Sequence, residues 1–470
     1  MRRATVRPLA RRRHESFESR VLISMIDPSS AEAVRGLFST TARHQSWLDV
    51  EAALALAEAE LNMIPAAAAQ EIARHARLEA IDCQAFSDLA ARNRAPVLAL
   101  VETLAAACSA EAGAYVHWGG TTQNIIQTAR IVQMKKAHGA LLGRLGSVFD
   151  KLATMADTSA QMIVAGRSNR RQGLPITFGF KVAAWIDELL RHEQRLTGAE
   201  PRVFMSQFGG ALGAMHAFGE KGPALNTAVS ARLGLYPAAV PVRSALDHIA
   251  EYMQLLALLG STCAKIAGEF YTLMTDEIGE VIEELEGAVG SSTMPQKVNS
   301  KIAVKVIAHA TRLRGYATST LDAMQPSHEG DAASNMVMYS AIDEAVPLSY
   351  ELLCLFDELL ASIRLIPEHM RRNLEASDGL IVAEKAMMLL ATHVGRSQAH
   401  HMVQDSVADA RARGGGLADA LAAHRDLPEA IDSGRLIAEL RPEAYTGQSV
   451  PMARAAIGRA RAAAERLRSG

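Results

Sequence analysis

Apolar residues recur at helical spacing along almost the whole of this chain, and strict apolar–polar alternation is nearly absent. That pattern specifies an all-α protein. From Ile249 through Tyr252, Leu256, Leu259, Cys263, Ile266 and Phe270 to Leu273 the spacings alternate between three and four, the period of a helix supercoiling against bundle neighbours. Ile126, Ile131, Leu141, Leu145, Val148 and Leu152 predict another long helix over about 123–155, and Phe178, Val182, Trp185 and Leu189 begin a third. A fourth pattern, Met336 to Ile366, contains Pro347, whose ring removes one N–H and crowds the preceding turn, so a kink is expected. A helix of about thirty residues approaches 45 Å, longer than a small single-domain core requires, and such lengths suggest subunits bundling together.

The pattern changes twice along the chain. Residues 25–120 hold shorter helices, among them an amphipathic one from Trp47 to Leu61; residues 121–372 form the central long-helix bundle; residues 373–470 read as a small, more polar C-terminal helical domain, broken at Gly414–Gly416 and at Gly447–Gln448. Residues 1–24 precede them as a basic tail. Seven arginines among the first twenty residues stand against Glu15 and Glu18, with no apolar stretch of a secretory signal. The tail is read as disordered; the alternative, an arginine-rich transit peptide, is opposed by those two glutamates.

Composition excludes more than it selects. The 470 residues are 49% hydrophobic and 21% charged, with net charge −2 and pI near 6.7, which provides no basic field for nucleic acid. No apolar run reaches the roughly 18 residues that span a bilayer. Cys83, Cys108, Cys263 and Cys354 are scattered without a C-x-x-C pair, so neither a disulfide framework nor a zinc site is expected, and a reducing cytoplasm fits. Gly414–Gly416 lacks G-x-G-x-x-G spacing, and no cofactor or metal is expected.

The most informative stretch is Gly290 to Asn299, GSSTMPQKVN. Backbone N–H groups of Gly290, Ser291 and Ser292 can turn inward as an anion nest, Pro295 stiffens the loop, and Lys297 adds a cation. A surface loop capping a helix near Ser300 is the plainer alternative. Two further segments carry matching chemistry. His117-Trp118-Gly119-Gly120-Thr121-Thr122-Gln123-Asn124 places two hydroxyls and an amide at the start of a long helix, where the dipole favours a carboxylate. Gly166-Arg167-Ser168-Asn169-Arg170-Arg171 precedes another.

Together these strings resemble the fumarase/aspartase superfamily, and the resemblance runs from about Asp27 onward, closest to the 3-carboxy-cis,cis-muconate cycloisomerase and adenylosuccinate lyase branch. Supporting strings are Ser206-Gln207-Phe208-Gly209-Gly210-Ala211, Glu329 after His328, and Tyr445-Thr446-Gly447-Gln448. The resemblance implies a three-domain all-α fold with a tetrameric central core, and active sites assembled from three segments of different subunits. Ser291 becomes the general base, with Lys297 and Asn299 stabilising charge. Thr121, Thr122, Asn124, Arg167, Ser168, Asn169, Gln207, Ser292, Met294 and, as a ligand contact, His117 hold the substrate, a small-molecule polycarboxylate.

Departures are equally specific. Many lyases carry histidine where Asn169 stands, paired with a glutamate where Val304 stands. Asparagine cannot exchange a proton near neutral pH. After Pro295 the chain reads Gln296-Lys297-Val298-Asn299-Ser300 rather than His-Lys-Arg-Asn-Pro. The expected reaction is proton abstraction beside a carboxylate, an aci-carboxylate intermediate and β-elimination or its reverse on a succinate- or muconate-like substrate, cycloisomerase-like. The alternatives are a fumarate-releasing lyase of an N-substituted succinate or one with a nitrosuccinate-type leaving group, and a noncatalytic structural homologue.

Overall fold

A computed structural model describes residues 30–287, 290, 293, 294 and 296–469; the basic tail of residues 1–24 therefore lies outside the described residues. The chain is predominantly helical, and the long apolar stripes become long helices. We number the elements that position the site: α1 (Thr40–Glu60), α2 (Thr122–Thr158), β1 (Ile163–Ser168), β2 (Arg171–Thr177), α3 (Phe178–Val203), α4 (Asp247–Leu273), β3 (Val281–Glu283), α5 (Ala303–Ala323), α6 (Ala332–Ser362), β4 (Ile363–Leu365) and α7 (Ser449–Ser469). Ile249, Leu256, Cys263 and Phe270 on α4 are completely buried, as the three–four spacing requires. Pro347 lies inside α6. N-cap side chains start three of these helices: Ser39 accepts from the Ala42 N–H at 3.2 Å, Thr177 from the Phe180 N–H at 3.2 Å, and Asp331 from the Ala333 N–H at 2.8 Å.

Helices α2 to α6 pack side by side, α4 on α5, α5 on α6, α2 on α6 and on α3. Their order gives the bundle two distinct ends. Helix α2 runs from the first end to the β1–β2 hairpin at the second, and α3 returns, its Val203 carbonyl receiving His248 Nδ1 of α4 at 2.8 Å. Helix α4 leads back to the second end, where β3 and β4 pair antiparallel. The 37 residues of α2 at about 1.5 Å each separate the two ends by about 55 Å.

Among the described residues three two-stranded sheets also form, which the helical periodicity did not predict. A smaller core, including Leu374, Ile381, Leu390, Met402, Leu421 and Leu436, occupies the C-terminal region. Helix α7 packs back on α2 and α3, with Ala456, Ala460 and Ala464 fully buried. Alanine suits this close helix contact because it brings little side-chain bulk.

Candidate active site

At the first end, Thr121 occupies the N-cap position of α2 in extended conformation, and its hydroxyl accepts no backbone N–H. Thr122 is exposed. Asn124 turns inward, its amide donating to the Gln207 carbonyl at 3.0 Å. Gln207 is also buried: its amide donates to the Ala245 carbonyl at 3.0 Å and its oxygen accepts from Gln127. Both residues thus tie α2 to the segment before α4, and the Gln207 side chain faces protein partners at both polar atoms. Gln123 donates to the Tyr339 hydroxyl, fixing the start of α6 beside the start of α2.

His117 precedes this helix with a φ of 61°, an uncommon backbone for a side chain of its size. Its Nδ1 meets Glu51 Oε1 of α1 at 2.6 Å, and the Glu51 side chain is only 1% exposed. Burial works against the charge of His117, but the Glu51 hydrogen bond and its negative charge outweigh that effect and raise the imidazole above its ordinary value. Two turns further along α1, Glu58 is completely buried with neither carboxyl oxygen hydrogen-bonded. Burial, reinforced by the Glu51 charge, pushes its carboxyl up to about 9.

Sequence reading missed Glu51 and Glu58, although a carboxylate on the apolar face of a helix is itself a signal. Glu58 carries a stability consequence. The folded chain keeps this proton up to about pH 9, whereas the unfolded chain releases it around 4.5. Across that interval the folded state binds one more proton, so stability falls as pH rises, by about 3 kcal/mol between pH 4.5 and 7. Glu58→Gln is expected to melt several degrees higher than wild type at pH 8 and to lose most of that advantage at pH 5. Equal melting shifts at both pH values would contradict a neutral Glu58.

The second end holds the β1–β2 hairpin. Its turn residues Asn169 and Arg170 have φ values of 50° and 62°, the left-handed pair that two-residue hairpin turns favour. Ser168, Asn169, Arg170 and Arg171 are exposed there. Gly166 lies at the register shift between Ala165 and Arg167, and a Cβ there would approach the Leu174 carbonyl oxygen to 2.8 Å. Arg167 reaches inward instead, with bonds of 2.9 and 2.6 Å to the two oxygens of Glu280. Glu280 is fully buried and also accepts from Asn373 at 2.9 Å. Expected at the substrate, the Arg167 guanidinium is observed joining the hairpin to the stem at β3.

The loop after β3 contains Gly290 to Asn299. Ser291, Ser292 and Pro295 lie outside the described residues, whereas Met294, Lys297 and Asn299 are described and exposed. Among the described residues no acidic group pairs with the Lys297 ammonium. Glu283 closes the loop at its base: its carboxylate accepts from the Ser300 hydroxyl at 2.7 Å and from the Lys301, Ile302 and Ala303 N–H groups at 2.5, 2.9 and 3.2 Å. The first amides of α5 are thereby satisfied by Glu283. Val304 is exposed at the start of α5.

One chain brings the hairpin and the loop stem to the second end but keeps Thr121, Thr122 and His117 at the first. A different trio, Glu71, His75 and Cys108, has ligand atoms within 4.8 Å of one another. Glu71 there receives the Ser109 N–H at 2.6 Å and its hydroxyl at 3.1 Å, and burial raises the Cys108 thiol, which disfavours the thiolate a metal needs.

Comparison with known proteins sharpens this geometry. Residues 28–315 match a family model described as lyase, and residues 379–456 match one described as adenylosuccinate lyase C-terminus. Trans-aconitate decarboxylase 1 of Mycosarcoma maydis is 35% identical over 416 residues, covering 88% of this chain and 84% of its own. The 3-carboxy-cis,cis-muconate cycloisomerase of Pseudomonas aeruginosa is 35% identical over 385 residues, 80% of this chain and 82% of its own. A crystal structure of fumarate lyase from Mesorhizobium sp. BNC1 superposes with a TM-score of 0.83 at 33% identity, covering 91% of this chain and 97% of its own.

Proposed function

This chain belongs to the fumarase/aspartase lyase family, and we propose that it catalyses proton abstraction beside a carboxylate, followed by β-elimination or its reverse, on a succinate- or muconate-like polycarboxylate. The carrying observation is the GSSTMPQKVN loop mounted between β3 and α5 with Lys297 unpaired among the described residues. In this reading the Ser291 alkoxide removes the α-proton and the electron pair moves into the carboxylate. Nest amides and Lys297 hold the resulting dianion, with Asn299 adding hydrogen bonds. Collapse then expels the group on the adjacent carbon and forms the double bond. Aconitate, carboxymuconate and fumarate, named for the relatives, are all unsaturated polycarboxylates, which supports this substrate class.

The proposed site draws on several copies of the chain. Thr121 and Thr122 sit about 55 Å from the hairpin and loop stem, so a site uniting all three segments needs neighbours. Exposed apolar residues on the bundle helices, Leu258 and Tyr271 of α4, Leu321 of α5 and Met336 of α6, support a homotetramer. Uncapped amides at the start of α2, with Thr121, Thr122 and Ser168, Asn169 and Met294 of neighbouring copies, would hold the remaining carboxylates.

We place a cycloisomerase-like reaction first, because Asn169 and Val304 stand where many lyases carry the histidine–glutamate pair and an internal carboxylate needs little protonation. A fumarate-releasing reaction stands second, favoured by the match of residues 379–456 to adenylosuccinate lyase. Incubation with 3-carboxy-cis,cis-muconate and with 2-substituted succinates, followed by ultraviolet absorbance of the diene or of fumarate, tests both. Turnover of at least one member is expected. Inactivity across the panel would favour a noncatalytic homologue.

A further inference from the structure

The buried carboxyl pair on α1 has no part in the mechanism so far, yet it stands directly behind the segment that begins α2. Glu51 is 1% exposed and bonds His117 Nδ1 at 2.6 Å. That bond fixes which ring nitrogen faces the protein and leaves Nε2 without a partner among the described residues, on the segment that leads into Thr121 and Thr122. The left-handed backbone at His117 holds the ring in this place. Among the described residues Glu51 is the one charged group acting on His117 and on Glu58. Two buried carboxyls this close do not both ionise readily. Glu58, with no hydrogen-bond partner among the described residues, keeps its proton.

We infer that His117 is the general acid of this site and Glu51 its positioning residue, so that the chain delivers through Nε2 the proton that Asn169 cannot. This rests on the proposed elimination chemistry and extends its substrate class to leaving groups that depart as strong bases, such as amines, thiolates or alkoxides. In the step, the bond from the β-carbon to the leaving atom breaks and the leaving atom takes both electrons. The Nε2 proton transfers to that atom, and neutral His117 regains a proton from solvent. Glu51, bonded to Nδ1, holds the ring in place throughout.

Two measurements on the full-length protein test this. With ¹³C-labelled histidine, and the His117 signal assigned by its loss in His117→Gln, the imidazole is expected to titrate above 6.5 in wild type and at or below that value in Glu51→Gln. Glu58→Gln should leave the midpoint near wild type, since it replaces one neutral group by another. A wild-type midpoint at or below 6.5, or one unmoved by Glu51→Gln, overturns the inference. The second measurement uses 2-aryloxysuccinates whose phenols span a range of acidity. His117→Gln is expected to slow expulsion of weakly acidic phenols by about 10²- to 10⁴-fold and of nitrophenols by less than about tenfold. An equal loss across the series would mean that His117 only binds substrate, and would overturn it. If wild type turns over none of these compounds, the extension to strongly basic leaving groups fails, while the titration still decides whether Glu51 governs the proton on His117.

Discussion

Replacing Ser291 by alanine is expected to reduce turnover by about 10³-fold or more, with helical content and oligomeric mass unchanged. The size of the effect follows from the proposed role of this serine as the base. A hydroxyl titrates far above neutrality, so it serves as base only where its alkoxide is strongly favoured, by nest amides and the Lys297 ammonium. Removing the base forfeits the proton-transfer contribution of about 10²–10⁴. Lys297→Ala should lose about 10²–10³ in kcat, because its charge meets the dianion more strongly than the substrate monoanion. Circular dichroism and light scattering separate these losses from unfolding. An active Ser291→Ala enzyme would remove this residue as base.

Glu280→Ala is expected to have the largest effect on stability, about 3–5 kcal/mol. The Glu280 carboxylate is completely buried and accepts from both Arg167 nitrogens and from Asn373. Its removal leaves a half-buried guanidinium without its partner and frees the hairpin from the β3 stem. Arg167→Lys should cost less, since one ammonium bond replaces two parallel ones. Urea unfolding measures both. If Arg167→Lys instead left stability near wild type and raised KM, the arginine would be a substrate contact, as the sequence resemblance implies.

The difference between what was legible and what was not is physical. Ile249 to Leu273 and Thr122 to Thr158 could be read because packing against several neighbours imposes a strict apolar period on long helices. The β1–β2 hairpin gave no such signal: it depends on the left-handed turn at Asn169 and Arg170 and on Arg167 reaching Glu280, a partner 113 positions away. The loop string and the two polar segments pointed to the family because their residue types are constrained by anion chemistry. Their orientation was another matter. Nothing in the spacing of Asn124 and Gln207 says that their amides turn to each other's neighbourhood rather than outward. Glu283 likewise looks ordinary until its carboxylate is seen capping α5 across the loop. Glu51 and Glu58 were readable in principle, as charges recurring on the buried face of α1, yet only the fold reveals that one of them meets His117.

The central claim is that each site joins Ser291 of one copy to Thr121 and Thr122 of another, because within a chain α2 holds Thr121 and Thr122 about 55 Å from the end that carries the Glu283 loop stem. Mixing two inactive variants tests this most directly: Ser291→Ala with the double variant Thr121→Ala/Thr122→Ala, co-refolded in equal amounts. If different copies supply the two segments, about a quarter of the sites in randomly mixed oligomers are intact, and activity should recover to that order. Activity no higher than that of either parent, in oligomers shown to contain both variants, would contradict the account.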